Sequence, residues 1–109
     1  MVRDGEHGLV GLVAVDDAGR PVALANLRWF ARPSSATMCL YLDDLFTAPV
    51  ARGNGAASAL LQDAADRAGA RGGSVVRWIT AADNATARSL YDLHAVATPW
   101  VTYDMKPNL

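Results

Sequence analysis

The hydrophobic period of this chain changes at one short glycine-bearing segment, and that change limits what the chain can fold into. Thr37 to Thr47 is a long apolar run that reads as a strand, more apolar than its neighbours and therefore central in a sheet. Beyond Ala48-Pro49-Val50-Ala51-Arg52-Gly53-Asn54-Gly55, the residues Leu60, Leu61, Ala64, Ala65 and Ala68 recur at helical spacing to about Ala70. A buried strand therefore hands over to a helix through a loop of small residues. The first four N–H groups of a helix lack partners within it and point outward at the positive end of its dipole. A phosphate there accepts several hydrogen bonds, provided that side chains do not block it. Gly53, Gly55, Ala56 and Ala57 leave that space open, and Arg52 adds a forked cation.

Two readings of this loop stand on its residues alone: a phosphate cradle, or a turn whose glycines serve geometry. Two other phosphate motifs are excluded. A P-loop needs Gly-Lys-Ser/Thr at its end, where this chain has Gly55-Ala56. A dinucleotide fingerprint needs Gly or Ala where Ser58 stands.

The rest of the chain supplies the other elements. Gly8 to Val15 and Val22 to Ala31 read as strands joined by the turn Asp16-Asp17-Ala18-Gly19-Arg20-Pro21. Gly72-Gly73 stops the first helix. Ser74 to Thr80 reads as a buried strand. Asp83-Asn84 caps a second helix with Ala87, Leu90, Tyr91 and His94 on one face, and Trp100 to Met105 reads as a last strand. The order is β-β-β-α-β-α-β, an α/β (α+β) arrangement in one domain over residues 1–109, with helices packed on a mixed sheet.

Formal net charge is −1 and the arginines are scattered singly, so the electrostatic footprint of a nucleic-acid binder is missing. The single cysteine, Cys39, excludes an internal disulfide and a cysteine metal cluster and reads as a small core residue; no metal site is expected. No run of about 18 apolar residues suggests a membrane span. The first eight residues lack a signal pattern, which makes a cytoplasmic protein the expectation.

Two stretches now carry a resemblance. Tyr41-Leu42-Asp43-Asp44-Leu45-Phe46-Thr47-Ala48-Pro49 followed by Arg52-Gly53-Asn54-Gly55-Ala56-Ala57 resembles the signature of the GNAT N-acetyltransferases, Arg/Gln-x-x-Gly-x-Gly/Ala opening a helix. About thirty residues on, Asn84-Ala85-Thr86-Ala87-Arg88-Ser89-Leu90-Tyr91 is similar to the family's second motif. The resemblance covers roughly Val22 to Met105. It implies a mixed, mostly antiparallel sheet flanked by helices. The Tyr-Leu-Asp-Asp-Leu-Phe stretch is closest to the branch that includes polyamine and small-amine acetyltransferases. Two departures are visible. The strand and helices that usually precede the hairpin are lacking, and Leu93-His94-Ala95-Val96 stands where the family has Gly-Phe.

The resemblance implies transfer of an acetyl group from acetyl-CoA to a primary amine of a small molecule or peptide. A homodimer is expected besides, since so short a chain leaves apolar surface that a partner chain could cover. The resemblance also implies cofactor contacts from Leu45, Phe46 and Thr47, from the loop Arg52, Gly53, Asn54, Gly55, Ala56 and Ala57, and from Asn84, Ala87, Arg88 and Tyr91. The strand N–H of Leu45 would stabilise the oxyanion. Tyr91 would protonate the departing sulfur, and Asp43 would serve as base. Other readings stay open beside these. Tyr91 is also a core-facing aromatic, Asn84 an N-cap, Arg88 a residue of a solvated helix face, and Asp43 a strand-end carboxylate. On a regular strand Asp44 points away from Asp43. His94 reads as a surface or hydrogen-bonded residue, and Trp29, Trp78 and Trp100 as packing residues. Gly55→Val is expected to abolish CoA affinity and leave the fold largely intact. The alternative function is a CoA-binding module without catalysis, or a fragment completed by a partner chain.

Overall fold

The computed structural model describes residues 2–4, 8–53 and 55–108. Its sheet has the order β1-β2-β3-β4-β5, with β1 Val2–Asp4, β2 Leu9–Val15, β3 Pro21–Arg32, β4 Thr37–Thr47 and β5 Val76–Arg77. The first four strands are antiparallel, and β5 joins β4 in parallel. Helix α1, Ala56–Ala70, follows a 3-10 turn at Pro49–Ala51, and helix α2 spans Ala85–Tyr91. No helix among the described residues is long and apolar enough to cross a membrane.

Alternation builds the core. On β3, Ala23, Ala25 and Leu27 are buried while Leu24, Asn26 and Arg28 face outward. Val10 and Leu12 of β2 and Leu40 and Leu42 of β4 join them beneath Leu60, Leu61, Ala64 and Ala68 of α1. Each of those leucines contributes on the order of 1.5–3 kcal/mol by leaving water. The β2–β3 turn forms as its residues require: Asp16 Oδ1 accepts from the Ala18 and Arg20 amides, and Gly19 takes φ +80°.

The expected stop of α1 is also present. Gly72 has φ +72°, its N–H reaches Gly69 O, and the Gly73 N–H reaches Ala68 O at 2.8 Å. Cys39 is fully buried, as a small core residue should be. Burial alone raises a thiol's pKa, but hydrogen bonds with Ser74, Thr37 and the Ser74 and Val75 backbone outweigh it and leave the thiol lowered to about 7.

Three expectations are corrected. A strand, β1, forms at Val2–Asp4, ahead of the hairpin. The strand read over Ser74 to Thr80 shrinks to Val76–Arg77. The last strand read over Trp100 to Met105 does not form; Trp100, Val101, Tyr103 and Met105 are 77–94% exposed, so Trp100 is not a packing residue. The apolar composition of that segment is strand-like, but no described strand lies beside it to complete a ladder.

Candidate active site

The site begins with a defect in β4. Pairing runs Leu27↔Leu42 and then Asn26↔Asp44, so Asp43 is an extra residue without a partner on β3. Two hydrogen bonds show what the insertion does. The Leu40 N–H points away from β3 and reaches Val75 O, whereas the Ala48 N–H points toward β3 and reaches Val22 O. On a regular strand two residues separated by an even number point to the same side. The extra residue reverses that parity, so beyond the bulge the backbone groups of Leu45 and Thr47 face the β5 side and those of Phe46 face β3.

Beyond the bulge, β4 has no strand partner on that side among the described residues. β5 pairs only Leu40↔Val76 and Tyr41↔Arg77, while β4 runs on to Thr47. Ladder pairing between the two parallel strands stops at Tyr41, and among the described residues no strand pairs with the edge carrying Leu45 and Thr47, which an extended ligand with amides of its own could lengthen. The side chains follow the same shift. Leu40 and Leu42 face the core, and the next inward residue is Leu45, packed on the core cluster, while Phe46 is 53% exposed.

The start of α1 lies where this edge ends. The first intrahelical bond runs from Ala59 N–H to Gly55 O, so the amides of Ala56, Ala57 and Ser58 have no helical acceptor. Gly55, the N-cap residue, offers no side chain, and the first turn carries no acidic residue. Gly53 and Gly55 take φ +84° and +80°, and a Cβ on either would meet open space. A valine at Gly55 would therefore strain the backbone as well as fill the cradle, so the expectation of an intact fold is corrected. Arg52 is exposed and has no ion-pair partner among the described residues. Asn54 lies outside the described residues.

The two carboxylates also differ from expectation. Arg28 Nε donates to both Asp43 oxygens at 3.2 and 3.1 Å, and Asn26 Nδ2 donates to Asp44 Oδ2 at 3.3 Å. Asn26 and Arg28 share the outward face of β3, so Asp43 and Asp44 share it too. The bulge overrides the alternation that would have separated them. Asp43 sits against a cation that also lies 4.5 Å from the Tyr41 ring, whereas among the described residues Asp44 has a neutral partner, Asn26.

Helix α2 brings the second motif. Asn84 Oδ1 accepts from the Ala87 N–H at 3.3 Å, the expected cap. Ala87, Leu90 and Tyr91 are half-buried on one face, and the Tyr91 ring meets Trp78 edge-on at 5.2 Å. The Tyr91 hydroxyl has no hydrogen-bond partner among the described residues. Arg88 turns back to its own loop and donates to Ala82 O at 2.7 Å. His94 falls beyond the helix, and its Nε2 lies 2.9 Å from Ser58 Oγ on the first turn of α1.

Two cavities flank α1. One of about 430 Å³ lies between the β2–β3 hairpin and the start of α1, with Asp16 and Asp17 in its hairpin wall and Gly55, Ala56 and Ala59 in its helix wall. The other, about 180 Å³, lies between α1, β5 and the turn after α2, and includes Trp78 and His94 in its wall. Among the described residues no group of three or more His, Cys, Asp or Glu could hold a metal ion.

The contacts of Arg28 and of His94 were missed in sequence because each bridges distant segments. The bulge had a visible trace: the inward leucines Leu42 and Leu45 are three apart, not two.

A mixed sheet with a bulged, splayed β4 leading into an uncapped helix start defines a class of fold and site. The acetyltransferase (GNAT) family model matches residues 2–95, and the chain belongs to that family. No curated protein sequence matches the chain. Among solved structures it resembles a ribosomal-protein-alanine N-acetyltransferase from Brucella melitensis biovar Abortus 2308, with 25% identity and a TM-score of 0.81, over 93% of this chain and 72% of that one. An aminoglycoside acetyltransferase from an uncultured soil metagenomic sample is 23% identical with a TM-score of 0.79, over 95% of this chain and 68% of that one. A putative acetyltransferase from Agrobacterium tumefaciens str. C58 is 20% identical with a TM-score of 0.80, over 92% of this chain and 69% of that one.

Proposed function

We propose that this acetyltransferase moves an acetyl group from acetyl-CoA to a primary amine of a small molecule or peptide. The observation that carries the reading is the uncapped start of α1 at the end of the open β4 edge. A diphosphate fits three amides without an acceptor in the helix beside Arg52, and the amides of a pantetheine arm fit the backbone of Leu45 and Thr47. Bound there, acetyl-CoA supplies an activated thioester carbonyl. The Leu45 N–H faces the open edge and donates to that oxygen as charge gathers on it. Tyr91, with its hydroxyl uncommitted, donates a proton to the leaving sulfur. Asp43 takes the proton of the amine, and Asp44 beside it, with no cation against it among the described residues, draws the ammonium form in. The cofactor's surroundings also take in Phe46, Gly53, Asn54, Asn84, Ala87 and Arg88. Two of the structurally similar proteins act, by name, on amine-bearing acceptors, which supports the acceptor class. The outward sheet face exposes Leu9, Val15, Leu24 and Phe46 and favours a homodimer. A clean monomer by light scattering at low concentration removes that part.

A thiol-release assay with acetyl-CoA and a panel of amines tests the transfer. Turnover with at least one amine is expected, and tight CoA binding with no turnover on any amine counts against it. Ala57→Asp tests the cradle. A carboxylate in the first turn favours the helix by about 0.3–1 kcal/mol but repels a diphosphate. The melting temperature should hold or rise while calorimetry shows CoA affinity falling at least ~10-fold. Unchanged affinity would refute the loop assignment.

A further inference from the structure

Helix α2 carries Tyr91, yet none of its residues is fully buried. Its hold on the rest of the molecule comes from few contacts. Leu90 and Tyr91 lean on the core cluster, the Tyr91 ring meets Trp78, and Arg88 bonds the loop that precedes its own helix. Toward α1 the packing is incomplete, because the 180 Å³ cavity separates Leu61, Gln62 and Ala65 from Ala95 and Trp78. A gap of this kind leaves a helix end free to shift, since no close-packed neighbour fixes it. Among the described residues one side-chain hydrogen bond spans the gap: His94 Nε2 to Ser58 Oγ at 2.9 Å, across 36 residues of sequence.

Both ends of that bond are well placed. Ser58 is the third residue of α1, and its amide is one of the three without a helical acceptor. His94 sits in the turn that closes α2, where its own N–H returns to Tyr91 O at 3.0 Å and the Ala95 N–H returns to the same oxygen at 2.9 Å. His94 is thus tied through its backbone N–H to Tyr91 O and through its imidazole to the cradle's first turn.

We propose that His94 is a positioning residue: through Ser58 it sets the distance between the diphosphate cradle and the Tyr91 hydroxyl, and so aligns the proton donor with the leaving sulfur. The inference rests on the acetyl-transfer reading above and adds a residue to it. His94 touches neither substrate nor cofactor; it acts through Ser58 and Tyr91. A misplaced acid costs turnover more than it costs binding, because the proton is needed only as the sulfur leaves.

Steady-state kinetics on His94→Ala, Ser58→Ala and His94→Gln, with CoA affinity by calorimetry, make the test. His94→Ala and Ser58→Ala should each lower kcat about 10-fold, with CoA Kd changed less than about twofold. His94→Gln, whose side-chain amide can donate to or accept from the Ser58 hydroxyl, should recover most of the loss. In a Tyr91→Phe background His94→Ala should cost nothing further, since the group it positions is gone. An unchanged kcat in His94→Ala, a loss confined to CoA Kd, or losses that multiply in the Tyr91→Phe background would each overturn the proposal. If the wild-type chain acetylates no amine, the underlying reading fails, and amide hydrogen exchange then tests the tether alone. His94→Ala should speed exchange across 85–91 and leave β3 unchanged. Equal rates across α2 would overturn the tether as well.

Discussion

The stretch from β2 to α1 and the stretch from β5 onward are held by different means. Every buried apolar side chain among the described residues lies between Val10 and Ala68, and none lies beyond. The first region has long paired strands under a helix that gives four side chains to the core. The second has a two-residue strand, a helix with no fully buried residue, and an extended segment in water. The candidate site draws on both. The cradle and the open edge belong to the packed region, where geometry is fixed, while the candidate acid belongs to the loosely held one. Binding and chemistry should therefore respond differently to mutation, with fold and cofactor affinity following the first region and turnover following the second.

The sharpest break in that comparison is a paired truncation. Leu40 is fully buried in β4 beneath α1, and Leu40→Ala should cost about 2–5 kcal/mol. Leu90 is half-buried on α2, and Leu90→Ala should cost roughly 1 kcal/mol. Thermal unfolding reports both, with Leu40→Ala lowering the melting temperature by at least ~10 °C. Equal costs would mean that α2 is packed as tightly as the sheet.

How much could be read in the sequence follows the same division. The hairpin, the bounds of Thr37–Thr47, the body of α1 and its glycine stop were legible, because local period and turn chemistry agree with the packing there. The bare start of α1, with no side-chain cap, was legible for the same reason: it is a local feature of one strand-to-helix connection. The C-terminal strand was misread because its apolar residues match a strand, and pattern alone does not say whether a neighbour exists to pair with. The carboxylates were misread because a single bulge reverses every later side chain. The Arg28–Asp43 and His94–Ser58 contacts join residues 15 and 36 positions apart, which no local rule reaches.

Gly73 sits where the two regions meet, and its role sharpens the boundary. A Cβ there would lie 2.5 Å from Met38 O and 3.0 Å from Ala68 O, both backbone atoms that cannot swing aside. Gly73→Ala should therefore destabilise by roughly 1–3 kcal/mol, as overpacking in a close-fitting interior does. The loss comes from pushing the end of α1 away from β4, so it should lower the melting temperature less than Leu40→Ala. A stability equal to wild type would show that the chain can turn out of α1 with room to spare. The contact that joins helix end to strand would then be looser than its geometry implies.

The smallest effect is expected at Trp100, one of two tryptophans that look alike in sequence. Trp78 packs on the core cluster and holds the Tyr91 ring, whereas Trp100 is 82% exposed. Trp100→Ser removes a large apolar side chain from water rather than from a core, so stability should move by no more than about 0.5 kcal/mol. Trp78→Ala should lower the melting temperature and turnover together, because it strips the support from the candidate acid. Emission should divide the same way, with the red-shifted, readily quenched component lost in Trp100→Ser. A clear drop in melting temperature for Trp100→Ser would mean that the segment from Pro99 to Met105 is covered in solution. The contrast between a packed region and a loosely held one would then stop short of the last strand-like stretch.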